Sequence, residues 1–119
     1  MVEAERLICA SADLVDAGRG VRFGLMRGGR SRAGFVIRYR GVVHAYLNEC
    51  GHLPVELDWQ AGEFFDDSKL YLICAMHGAL YAPDTGRCLG GRCQGRGLQP
   101  LSVREVDGCV FLIIDDKNG

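Results

Sequence analysis

Cys50-Gly51-His52 and Cys74-Ala75-Met76-His77-Gly78-Ala79-Leu80-Tyr81 are the stretches on which the reading of this 119-residue chain turns. Each opens with a box pairing one thiolate with one imidazole, so together they offer two sulfur and two nitrogen donors. That donor set suits a [2Fe–2S] cluster in which cysteines hold one iron and histidines the other. The same donors would also complete a tetrahedral zinc site. Zinc sites ordinarily group their cysteines apart from their histidines and leave two or more residues inside each box. Here both boxes are mixed and Gly51 alone separates the first pair, which suits two loops that each reach across two irons. The cluster is therefore the preferred reading, with zinc as its alternative.

The spacing C-x-H … C-x2-H, with Gly78 directly after the second box, resembles the Rieske family. The likeness runs on through Tyr81, four residues after His77, and the turn residues Pro83-Asp84-Thr85-Gly86. Upstream, Val43-His44-Ala45-Tyr46-Leu47-Asn48 is similar to the strand that delivers the first box in Rieske ferredoxins. Downstream, Leu98, Leu101 and Asp107-Gly108-Cys109-Val110-Phe111-Leu112 resemble the closing strands, so the likeness covers about Arg6 to Asp115. It implies Cys50, His52, Cys74 and His77 as the ligands of a [2Fe–2S] cluster. It also implies one Rieske-type domain over residues 1–119, an antiparallel β sandwich or barrel with an inserted cluster-binding lobe at about 48–93. Two departures stand out. Twenty-one residues separate His52 from Cys74, more than in common members, and the loop that covers the cluster reads Gly90-Gly91-Arg92-Cys93 without its proline. Losing that proline removes a restraint on φ.

Gly51 and Gly78 let the backbone come close enough for amide N–H groups to point at sulfur. Such bonds, with neutral imidazoles in place of two thiolates, raise the reduction potential, for which Rieske centres span roughly −150 to +300 mV. High-potential relatives carry a serine and a tyrosine that donate to the cluster sulfurs. Here Ala79 stands at the serine position and Tyr81 at the other, which implies the lower or middle part of that range. Tyr81 as a plain core aromatic is the competing reading. Oxidation of the iron acidifies the outer imidazole N–H, so the potential should be flat near neutral pH and fall at alkaline pH.

Composition agrees with one globular core, at 48% hydrophobic residues and a net charge of −1. The acidic start Met1-Val2-Glu3-Ala4-Glu5-Arg6 does not read as a signal peptide. The longest apolar run, Val110 to Ile114, is far short of the ~20 residues of a membrane span. A soluble, cytoplasmic protein is expected. Of the six cysteines, Cys9 and Cys109 read as small buried hydrophobes on strands. Cys88 and Cys93 flank the flexible stretch Leu89-Gly90-Gly91-Arg92. Free thiols are expected there in a reducing compartment, and a disulfide restraining the covering loop is the alternative.

The strand pattern is clearest at Arg32–Arg40, where Phe35, Ile37 and Tyr39 share one face and Arg38 and Arg40 the other. Gly41 marks a turn into Val42–Leu47, and Asp107-Gly108 joins Val103–Val106 to Cys109–Ile114 as a hairpin. Lys69–Cys74 reads as a short run ending at the second box, and Ser11–Ala17 as a helical turn capped by Ser11 or Asp13. Charge is segregated: Arg19–Arg40 holds seven arginines and no acid, Glu49–Asp67 six acids and neither Lys nor Arg. The acidic block is either a patch that steers a basic partner or an ordinary solvated surface. The arginines are strand-spaced without stacking aromatics, which disfavours nucleic acid. His44, the third histidine, reads as a structural or surface residue rather than a ligand.

The resemblance implies an electron carrier, not an enzyme, relaying single electrons from a flavin-dependent reductase to a terminal oxygenase. With only His44 spare, the chain cannot build the mononuclear iron site of two histidines and a carboxylate that oxygenation requires. Two alternatives are the small subunit of an assimilatory nitrite reductase and a redox-sensing module built on Cys88 and Cys93.

Overall fold

The computed structural model describes residues 4–27, 29–49, 56–58, 60–74, 78–91 and 96–114. Among them lie β1 (Ala4–Ala10), β2 (Val21–Arg27), β3 (Arg30–Tyr39), β4 (Val42–Leu47), β5 (Leu72–Ile73), β6 (Leu80–Tyr81), β7 (Cys88–Gly90), β8 (Pro100–Leu101), β9 (Val103–Val106) and β10 (Cys109–Ile114). They form three sheets with the orders β1-β10-β9, β2-β3-β4-β8 and β5-β6-β7. Every strand pair is antiparallel. The expected all-β architecture is present, and the β5-β6-β7 sheet is the insertion, lying between β4 and β8 in the chain. Among the described residues no helix is long and apolar enough to cross a membrane.

The four-stranded sheet is a wall between two cores. Phe35 and Ile37 face one side and pack with Tyr46, Leu57, Phe64, Leu72 and Tyr81. Val36, Ala45 and Leu47 face the other and pack with Cys9, Leu14, Val110 and Leu112. Strand parity thus follows the sequence pattern, but β3 has no solvated face along its middle: Phe35, Val36 and Ile37 are all buried. Phe35 stacks on Phe64 with ring centroids 4.0 Å apart, tying the wall to the segment after the first ligand box. Burial of such rings is the largest apolar contribution available to a small core.

Arg38 illustrates what a second packed sheet does to a polar face. Its side chain is only 15% exposed. It donates to the carbonyls of Leu14 at 2.8 Å, Ser11 at 3.2 Å and Gly41 at 3.1 Å, and to both carboxylate oxygens of Glu105. One guanidinium therefore joins β3, the Ser11–Leu14 segment and β9. Arg40 instead lies outside, over the Tyr39 ring at 5.2 Å.

The expected hairpins form. Arg40-Gly41 and Asp107-Gly108 have positive φ at both positions, 51° and 81°, 52° and 77°, the turn geometry that matches strand twist. Two expectations need correction. The run Lys69–Cys74 is extended only at Leu72–Ile73, because Lys69 closes a turn onto the Asp66 carbonyl at 3.0 Å. The helical turn is a single 3-10 turn at Ser11–Asp13, whose Asp13 carboxylate accepts the Ala10 N–H at 3.2 Å from inside the turn. A further strand, β2, whose glycine and arginines obscure its pattern, pairs over its whole length with residues 30–36 of β3. Cys9 sits on β1 and Cys109 on β10 as expected, and burial pushes the Cys9 thiol pKa up.

Candidate metal centre

Of the four sequence-predicted ligands, the structure describes Cys74; Cys50, His52 and His77 lie outside the described residues. Cys74 follows β5 and is fully buried. The loop it opens is closed at its base by two backbone bonds. The Cys74 N–H donates to the Ala79 carbonyl at 2.9 Å, and the Gly78 N–H donates to the Cys74 carbonyl at 2.7 Å. Both bonds lie at the end of the β5-β6 hairpin; the three residues between Cys74 and Gly78 lie outside the described residues. At Gly78 a Cβ would meet nothing within 4 Å, so its φ of +69° rather than crowding explains the glycine. At Gly91 both reasons apply: φ is +82°, and a Cβ would stand 2.8 Å from the Ala79 Cα and the Gly78 carbonyl oxygen. Gly91 thus packs backbone to backbone against Gly78 and Ala79, directly after the second box.

The first box is delivered by β4. Asn48, buried at its end, donates its N–H to the Ala33 carbonyl of β3 at 2.8 Å. Its side chain reaches the other end of the loop, where Oδ1 accepts the Leu57 N–H at 2.9 Å and Nδ2 donates to Asp58 Oδ1 at 3.0 Å. The other Asp58 oxygen accepts the Gly62 N–H at 2.9 Å and lies 3.5 Å from Arg22 Nε. Arg22 also pairs with Glu56. Arg32 grips Glu49 with two bonds of 2.7 and 2.6 Å. Neither Asn48 nor Asp58 was singled out from the sequence. The signal that could have found them is a polar residue closing an apolar strand directly before a ligand, followed by an acid in the return segment.

These pairs favour the ordinary-surface reading of the acidic block over a steering patch. Four of the six acids between Glu49 and Asp67 sit against arginines of the basic block: Glu49 on Arg32, Glu56 and Asp58 on Arg22, and Glu63 within 4.0 Å of Arg19. Parts of the two blocks lie on facing segments in space, where Arg19, Arg22 and Arg32 offset four of the acids.

Cys88 is disulfide-bonded, which corrects the expectation of a free thiol there; Cys93 lies outside the described residues. Tyr81 is fully buried on β6, opposite Leu72 and Cys88. Tyr46 packs nearby and donates its hydroxyl to the Pro83 carbonyl at 2.8 Å, and burial raises its pKa. His44 lies half-buried on β4, facing a cleft of about 390 Å³ with Asp84 and Thr85. Burial lowers its pKa while the Asp84 carboxylate opposes that shift. Among the described residues no three His, Cys, Asp or Glu side chains converge on a metal position.

What the structure does describe fits an iron–sulfur group. A buried thiol sits at the mouth of a self-closed loop, a second loop is clamped at both ends, and a glycine seam joins two backbones beside it. The donor set of two thiolates and two imidazoles is that of a Rieske centre.

A model of the Rieske [2Fe–2S] domain matches residues 5–107. A search of curated proteins finds no match. Among solved structures, the ferredoxin of carbazole 1,9a-dioxygenase from Nocardioides aromaticivorans IC177 aligns with a TM-score of 0.71 and 19% identity, over 92% of this chain and 96% of that one. The Sphingomonas yanoikuyae B1 ferredoxin aligns with a TM-score of 0.72 and 21% identity, over 94% and 100%. The terminal oxygenase of carbazole 1,9a-dioxygenase from Novosphingobium sp. KA1 aligns with a TM-score of 0.71 and 27% identity, over 96% of this chain but only 30% of that larger one.

Proposed function

Because this chain belongs to the Rieske [2Fe–2S] domain family, we propose that Cys50, His52, Cys74 and His77 hold one such cluster and that residues 1–119 act as a single electron-carrying domain. The cluster supplies one-electron exchange when bound. The protein's part is to hold the ligands, to shield the thiolate side and to aim backbone N–H groups at sulfur. The observation that carries the reading is the family match from residue 5 to 107, together with a buried Cys74 at the base of the second box. Iron and acid-labile sulfide content with an EPR spectrum after dithionite reduction tests it. Colourless protein holding stoichiometric zinc refutes it.

The partners we propose are a flavin-dependent reductase as donor and a terminal oxygenase as acceptor. Alignment over nearly the full length of two oxygenase-system or bacterial ferredoxins supports the carrier role. The chain is an electron carrier rather than a catalyst. Reduction by a flavoprotein reductase and stimulation of an oxygenase assay are the corresponding measurements; failure with every donor tried would exclude the reductase.

One observation favours a second role. The Cys88 disulfide immediately precedes the seam where Gly91 meets Gly78 and Ala79. A dithiol reductant would cleave it with two electrons and two protons, becoming a disulfide itself, and would release the restraint beside the second box. Partner affinity that changes on this treatment supports a redox-sensing role, and unchanged affinity removes it.

A further inference from the structure

The chain leaves β4 after Leu47 and is described to Glu49 and again from Glu56, and polar side chains tie the two described ends together. Every polar atom of the tie is used. Asn48 Oδ1 accepts from Leu57, Asn48 Nδ2 donates to Asp58 Oδ1, and Asp58 Oδ2 accepts from Gly62 and faces Arg22. The Asp58 side chain has no exposed surface. A carboxylate taken out of water is strongly destabilising unless its oxygens are paired. An apolar pair would join the two segments more cheaply but would leave them free to slide. The Asn–Asp pair has a direction, since the amide must accept on one side and donate on the other, and only one register satisfies both.

We propose that Asn48 and Asp58 are positioning residues for the iron–sulfur cluster: they fix the separation and register of the two ends of the first ligand loop. This rests on Cys50 and His52 being ligands. Asn48 lies two residues before Cys50 and Leu57 five after His52, so a slip at either end is transmitted to both donors. Metal sites lose occupancy steeply when the groups that orient their ligands are altered. Arg22 and Arg32, on adjacent strands of the wall, anchor the same two ends through Glu56 and Glu49. The clamp therefore refers the two ends of the loop to the sheet.

The test is a swap of the two side chains in the holoprotein. Asn48→Asp places two buried carboxylates face to face. Asp58→Asn removes an acceptor needed by either Asn48 or Gly62. Asn48→Asp with Asp58→Asn restores every hydrogen bond with the polarity exchanged, because the new carboxylate accepts from Leu57 and from the new amide. Cluster release to an iron chelator is followed by loss of visible absorbance, with EPR g-values of the remaining reduced cluster. Each single variant is expected to release the cluster at least about tenfold faster with shifted g-values, and the swap to return within about threefold of wild type. A merely structural role would lower the melting temperature and leave the g-values alone. Wild-type release in the single variants overturns the proposal, and so does a folded swap that releases as fast as they do. If none of the three accumulates folded, Arg22→Gln decides: its side chain is 38% exposed, and its release is expected to rise about threefold, an unchanged rate overturning the clamp. Cys50→Ser separates this from the ligand reading. If Cys50→Ser keeps the wild-type spectrum, Cys50 is not a ligand, whereas loss of the cluster there with unaffected clamp variants removes only the clamp.

Discussion

Replacing Arg38 by Met should destabilise the holoprotein by about 3–4 kcal/mol, and the reasoning can be followed atom by atom. Its guanidinium, with a smaller contribution from Ser11, holds the Glu105 carboxyl at about 2, against an ordinary 4.5. At ~1.4 kcal/mol per pH unit that sets a ceiling of roughly 3 kcal/mol, and solvent at the partly exposed carboxylate reduces it to about 1–2 kcal/mol. The carbonyls of Leu14 and Ser11, which also accept from Arg38, add about 1 kcal/mol each when left without a donor. Glu105→Gln removes only the charged portion and should cost about 1–2 kcal/mol. Arg38→Lys should fall between, since one ammonium cannot span acceptors on three segments. Urea denaturation of the holoprotein at pH 7, arranged as a double-mutant cycle, measures all three. The Glu105 carboxyl pKa is depressed in the folded state, so its contribution is complete above the unfolded value near 4.5 and is lost as pH falls through about 2. The gap between wild type and Glu105→Gln should accordingly stay constant from pH 8 down to about 5. A loss below about 1 kcal/mol for Arg38→Met, or a gap that varies in that window, would refute the assignment.

Three further outcomes are expected. Tyr81→Phe should lower the midpoint potential by roughly 40 mV, the one-electron equivalent of a hydrogen bond worth about 1 kcal/mol; an unchanged spectroelectrochemical midpoint makes Tyr81 a core residue only. Gly91→Ala should accelerate cluster loss and cost about 1–2 kcal/mol from its left-handed backbone, with further strain because a Cβ would stand 2.8 Å from Ala79 Cα; wild-type release kinetics would show that the seam gives way freely. Gly20→Ala would put a Cβ 2.7 Å from Phe64, 2.8 Å from Ile37 and 2.9 Å from the Val36 carbonyl. That overpacking should cost about 1–3 kcal/mol, read as a lower melting temperature.

Cofactor class and strand parity were both legible in the residues themselves. Mixed Cys–His boxes constrain coordination chemistry locally, and alternation places Phe35 and Ile37 on one face wherever the strand ends up. Short strands were not legible: β5, β6 and β8 span two residues each, too few to show a period. Their conformation comes from the ladder they join. Pro100, which has no N–H to give, is tolerated because β8 lies at the sheet edge.

The charge blocks mark the boundary most clearly. Read along the chain, Arg19–Arg40 and Glu49–Asp67 look like two opposed patches; in three dimensions Arg22 and Arg32 meet Glu56, Asp58 and Glu49. The chain by itself determined the cofactor class, the all-β class and the two tight turns, because each depends on residue type or on neighbours a few positions away. Only the tertiary structure decided that β3 is covered on both faces, that Arg38 is a staple, and that Asn48 and Asp58 clamp the first loop. Those roles depend on which segments come to face each other, a matter of sheet order and packing.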